Sequence, residues 1–158
     1  MRPEAVLKTL ERWLGHWTTE MTHPALPGVV VHGSASVEWL EGERFLIQRA
    51  RTDHPDFPDS LAIIGFTDSD RVDKGSRELQ GDQTELTMHY FDSRGVFRVY
   101  DAAVEQEAIT FSRLSPGFSQ RFKGTFAEDG HTLNGLWQMQ QDDEDWSDDL
   151  KITYKRCT

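Results

Sequence analysis

Cysteine is all but missing from this chain: among 158 residues only Cys157 carries a thiol. No internal disulfide can form, so the fold must rest on packing, and a chain of this length can bury a substantial core. Long apolar runs are missing too. No stretch approaches the roughly 20 apolar residues of a membrane span. The N-terminal stretch Met1 to Lys8 lacks the apolar run and small-residue cleavage site of a secretion signal. Basic residues are scarce, with 17 Lys and Arg against 27 Asp and Glu, a formal charge of −10. A surface that acidic repels phosphate backbones and anionic headgroups alike. These absences lead to the expectation of one domain, residues 1–158, in a reducing cytoplasm, with neither nucleic acid nor membrane as partner.

Catalytic signatures are also missing. There is no G-x-S-x-G elbow, no phosphate-cradling glycine loop and no dinucleotide fingerprint, and the one thiol is terminal. The six histidines, His16, His23, His32, His54, His89 and His131, show no close metal-ligand spacing. No metal and no catalytic residue is assigned. The acidic run Asp142-Asp143-Glu144-Asp145 lacks the spaced ligands and central glycine of a calcium loop and reads as a solvated hairpin tip.

What the chain does contain is alternation. From Pro3 to Leu14 the residues Val6, Leu7, Leu10, Trp13 and Leu14 recur at helical spacing, with Pro3 suited to the first turn and Gly15 to the stop. This predicts one amphipathic helix lying as a lid over one end of a sheet structure, partly covering the mouth of a cavity. Everything after it reads as strand: Trp17 to His23, Val29 to Leu40, Arg44 to Thr52, Leu61 to Thr67, Glu85 to Asp92, Val96 to Ala102, Ala108 to Leu114, Phe118 to Ala127, His131 to Gln140 and Leu150 to Arg156. Asp68 to Gln83 is expected to be an exposed excursion. Ten short strands joined by local turns point to an all-β, antiparallel up-and-down barrel, whose closure removes the exposed edges of an open sheet.

Counting alternate residues from the aromatics gives an inner set of Val31, Ala35, Val37, Trp39, Ile47, Ile63, Met88, Tyr90, Tyr100, Phe111, Phe122, Trp137, Met139, Ile152 and Tyr154. Arg49 shares its parity with Phe45 and Ile47, Arg98 with Val96 and Tyr100, and Arg113 with Ile109 and Phe111. A buried charge is costly unless paired. Either those strands turn their apolar side outward, or several arginines line a water-accessible pocket; strand register alone decides.

The Gly15-x-Trp17 element after a short helix, with Lys155-Arg156 on the last strand, resembles the lipocalin-like calycins. That resemblance implies a cation over the tryptophan ring at the closed end of a barrel, here Arg156 over Trp17. Leu14 to Trp17, Gly42 to Leu46, Tyr90 to Gly95, Asp129 to Trp137 and Tyr154 to Arg156 are together similar to a bacterial calycin-type family with no established activity, which implies a ten-stranded barrel around a central cavity. A neighbouring branch, the nitrobindins, holds haem through a histidine near the C-terminal end. Here no histidine follows His131 and the last strand offers only Tyr154, so neither haem nor any other cofactor is expected.

Three functions fit this reading. The first is binding of a small hydrophobic or amphipathic molecule in the cavity, with Arg49, His89, Tyr90, Arg98, Arg113, Trp137 and Tyr154 as its lining. The second is an enzyme in the same cavity with His89 or a buried carboxylate as general base and an arginine steadying developing negative charge. The third is a non-catalytic interaction protein with a filled barrel, for instance a homodimer.

Overall fold

The computed structural model describes residues 2–67 and 85–157. Pro3 opens helix α1 (Pro3–Leu10), which buries Val6 and Leu10. The expected helix to Leu14 is cut short: Glu11–Trp13 tighten into a 3₁₀ turn, closed by Leu14 N–H donating to the Glu11 carbonyl at 3.1 Å. The tighter turn continues the apolar stripe and buries Trp13, whose ring stacks on Phe111 at 6.4 Å. No helix among the described residues is long and apolar enough to cross a membrane.

Ten strands follow: β1 (Gly15–Thr22), β2 (Val31–Trp39), β3 (Phe45–Thr52), β4 (Ser60–Thr67), β5 (Glu85–Asp92), β6 (Phe97–Val104), β7 (Ala108–Arg113), β8 (Phe118–Phe126), β9 (Thr132–Gln141) and β10 (Ser147–Arg156). Each pairs antiparallel with its neighbour in sequence, and β1 pairs with β10, so the sheet closes into a barrel with no free edge. The expected fold class is the observed one. The excursion expected at Asp68 to Gln83 lies outside the described residues. Asp142 to Asp145 form an exposed turn, as expected of a solvated tip.

One end of the barrel is shut. Trp17 on β1 stands opposite Arg156 on β10, and the guanidinium lies 4.2 Å over the indole, as the calycin resemblance implied. The same guanidinium donates to the carbonyls of Leu14, Arg12 (2.6 Å) and Gly130 (3.3 Å), tying the helix, the strand start and the β8–β9 turn together. Gly15 sits at φ 122°, and a Cβ there would stand 2.9 Å from Arg156 Nη1. That backbone conformation, rarely adopted by residues with a side chain, is what calls for the glycine of the Gly-x-Trp element.

Register decides which side chains point in. On β3, Leu46 and Gln48 are buried while Arg49 is exposed, and on β4 Ala62 and Ile64 are buried. Ile47 pairs with Ile63, and Ile63 with His89, which places all three on the outer face. This corrects the expected inner set at Ile47 and Ile63. Phe45, Leu46 and Ile47 are three consecutive apolar residues, so hydropathy alone gives no parity there.

Candidate functional site

Inside the barrel is a cavity of about 510 Å³. It exists because the two walls differ in size. On β3 and β4 the inward residues include Ala50, Ser60 and Ala62, which fill little space, whereas β6 to β9 contribute Tyr100, Phe111, Phe122 and Trp137. These aromatics form one connected surface: Phe111 stacks on Phe122 at 5.6 Å, Phe122 meets Trp137 at 5.0 Å, and Tyr100 meets Trp137 edge-on at 5.4 Å. The Phe122 ring is set by two paired glycines, since a Cβ on Gly135 or Gly124 would come within 2.4 or 2.9 Å of it. The cavity thus lies between an aromatic wall and one of mostly smaller side chains.

Trp13 lies at its floor and the loop residues Leu26, Phe57, Pro58 and Arg94 at its mouth. The helix consequently closes the end opposite the opening. The expected role as a lid over the mouth is corrected: Arg12, just beyond α1, bridges to Glu107 in the β6–β7 turn at 2.7 Å and lies over the Phe126 ring, both at the shut end.

Four of the seven residues expected in the lining are there: Tyr90, Arg98, Trp137 and Tyr154. Three are not. Arg49 lies on the outer face, where it is 57% exposed and pairs with Glu38 at 3.0 Å. His89 faces outward against Phe97, ring to ring at 6.3 Å. The alternation that turns Met88 and Tyr90 inward puts His89 on the other side. Arg113, at the mouth-side end of β7, spends its guanidinium on the Phe118 carbonyl at 3.2 Å and does not contribute to the wall.

Arg98 is half-buried within the cavity and its Nη1 donates to Gln120 Oε1 at 2.9 Å. The Tyr100 hydroxyl donates to the same oxygen at 2.9 Å. A guanidinium can only donate, which fixes the Gln120 amide with its oxygen toward Arg98 and its NH₂ elsewhere. No carboxylate pairs with Arg98 among the described residues. By contrast Arg94 at the mouth is neutralised by Asp92, which it grips at 2.6 Å and which also accepts from the Tyr90 hydroxyl at 2.8 Å. Burial alone would raise the Asp92 carboxyl, but the bonds from Arg94 and Tyr90 outweigh it and hold the group at about 2.

Burial pushes the hydroxyls of Tyr90, Tyr100 and Tyr154 above the ordinary tyrosine range. All three are neutral phenols whose one proton is already given, to Asp92, Gln120 and Gln48 respectively, and none is poised to act as a base. His23 is the one histidine among the described lining residues. Its Nδ1 accepts from the Ala25 backbone N–H at 3.0 Å, so its Nε2–H donates to Asp149 Oδ1 at 2.6 Å. With both nitrogens engaged, the ring latches the β1–β2 loop to β10 and leaves no lone pair for a substrate.

Sequence reasoning missed Gln48, Gln120 and the His23–Asp149 pair. Nothing in the sequence signalled the pair, because a bulge between Asp148 and Lys151 turns Asp149 inward out of an acidic run. Gln120 could have been found, since its parity is that of Phe122.

No protein-family model and no curated protein matches the chain. Among solved structures the chain is similar to Rv2717c from M. tuberculosis, with a TM-score of 0.60 at 14% identity, over 97% of this chain and 98% of that one. A likeness at that identity supports the barrel fold alone.

Proposed function

We propose that the barrel binds a small amphipathic molecule carrying an anionic group, with the acid beside Arg98 and the apolar body against Phe111, Phe122 and Trp137. The observation that carries this is Arg98 itself, a half-buried cation inside the cavity whose hydrogen-bonded partner is a neutral amide. Arg98 has no carboxylate within ion-pair reach among the described residues, only the Gln120 amide and the Phe118 ring, so an arriving anion gains charge-assisted bonds there. The volume suits a ligand of modest size, enclosed mainly by apolar walls with a few polar groups to orient it. The resemblance to calycin-type barrels supports the same reading, and the single exposed thiol suits the cytoplasmic setting it assumes.

Titration with anilinonaphthalene sulfonate, followed by its emission, tests the proposal. Wild-type protein should bind the probe in one saturable step. Arg98→Met, which keeps the aliphatic stem, should weaken it about tenfold or more, the loss expected for one charge-assisted hydrogen bond. Unchanged affinity in a folded Arg98→Met variant, or no saturable uptake by the wild type, would overturn it.

A further inference from the structure

The wall opposite Arg98 holds polar atoms that no other described residue bonds. Thr19 on β1 is 3% exposed, lines the cavity, and its hydroxyl has no partner among the described residues. Gln48 on β3 is 8% exposed; its Oε1 accepts from the Tyr154 hydroxyl at 3.3 Å, and its amide nitrogen is likewise without a partner. The two meet around one side chain: Thr19 stands opposite Tyr154 in the β1–β10 pairing, and the Tyr154 hydroxyl reaches Gln48. The Trp13 ring, its Nε1–H buried away from the cavity, backs Tyr154 edge-on at 5.8 Å.

The Thr19 hydroxyl and the Gln48 amide nitrogen open onto the cavity, where the protein supplies them no partner and a ligand can. Valine and leucine would line the same positions without presenting a donor. Departures of this kind from good packing are expected where a ligand is held.

We propose that Thr19 and Gln48 form a second polar subsite near the floor, which takes a neutral oxygen acceptor, a carbonyl or an ether, at the end of the ligand remote from its acid. The ligand class is then an apolar-bodied acid with an oxygen at its far end, in preference to a plain alkyl or aryl acid. This rests on Arg98 as the anion-binding end. The two ends lie on opposite walls: β6 carries Arg98, and β1 and β3 carry Thr19 and Gln48.

A matched pair of probes separates the two proposals: a naphthalene-propanoic acid with an acetyl group on the far ring, and its counterpart with an ethyl group there. The wild type should bind the acetyl compound about 3- to 10-fold more tightly, the yield of one net hydrogen bond. The ratio should fall toward one in Thr19→Val and Gln48→Leu, while Arg98→Met weakens both probes alike. The Gln48 side-chain amide resonances of wild-type protein should shift with the acetyl probe and stay with the ethyl one, a readout that needs no variant to fold. Equal binding of both probes, or a preference that survives both substitutions, overturns the second subsite and leaves the anion site standing. No binding of either probe overturns both.

Discussion

Arg156→Met removes the guanidinium that shuts the barrel while keeping a flexible apolar stem of similar reach. Three losses follow. The cation leaves its place 4.2 Å over Trp17, worth roughly 0.5–2 kcal/mol. The Arg12 and Leu14 carbonyls lose charged donors, each worth about 1.5 kcal/mol at the low end for such bonds. The longer contact to the Gly130 carbonyl, at 3.3 Å, adds little. Because the contacts share one side chain they do not add fully, and about 3 kcal/mol is expected in all. With a urea dependence of about 2 kcal/mol per molar, the unfolding midpoint should fall by about 1.5 M at unchanged slope. Arg156→Lys keeps a cation near the ring but cannot serve three carbonyls from one planar fork, so it should recover less than half of the loss. A midpoint shift under about 0.5 M for Arg156→Met, well below the loss worked from these contacts, would refute the view that this residue holds the closed end together.

Asp92 gives a pH dependence of defined sign. Its folded value of about 2 lies below the ordinary aspartate value of about 3.9, so the unfolded chain takes up the proton first as pH falls. The stabilisation is full above about pH 4, is lost between about pH 4 and 2, and amounts to at most about 2 kcal/mol, less in high salt because Arg94 is 57% exposed. Thermal melts across that window should be steeper in pH for wild type than for Asp92→Asn; equal slopes would contradict the assignment. Arg49→Ala should leave probe affinity unchanged and move stability by no more than about 0.5 kcal/mol, since its bridge to Glu38 is solvent-exposed. A clear loss of binding in that variant would return Arg49 to the site.

The barrel was readable because its closing strands are unambiguous. Trp17, Thr19 and Met21 alternate cleanly with polar neighbours, and the Gly-x-Trp element with Arg156 states which end is shut. The inner aromatic wall followed from the same rule at Tyr100, Phe111, Phe122 and Trp137. Where the rule failed, both faces of a strand were apolar or the inward face was polar. On β3, three apolar residues in a row conceal the parity, and the inward Gln48 looks like a surface residue. His89 attracted attention as chemistry, although the inward placement of Met88 and Tyr90 already excluded it from the interior. The position of the helix was the other misjudgement: an apolar stripe shows that α1 must be covered, and says nothing about which end of the barrel covers it.

The most direct measurement of whether a ligand enters the barrel is a two-dimensional NMR titration with the acetyl-bearing naphthalene-propanoic acid. Binding inside predicts shifts in the methyls of Ala50, Ala62 and Met88 and in the Trp137 indole, all of which line the cavity, with the outward Ile47, Ile63 and His89 unmoved. Shifts confined to those outer residues, or to the exposed Phe91 and Phe97, would show that the molecule binds on the sheet surface and that the cavity is not the site.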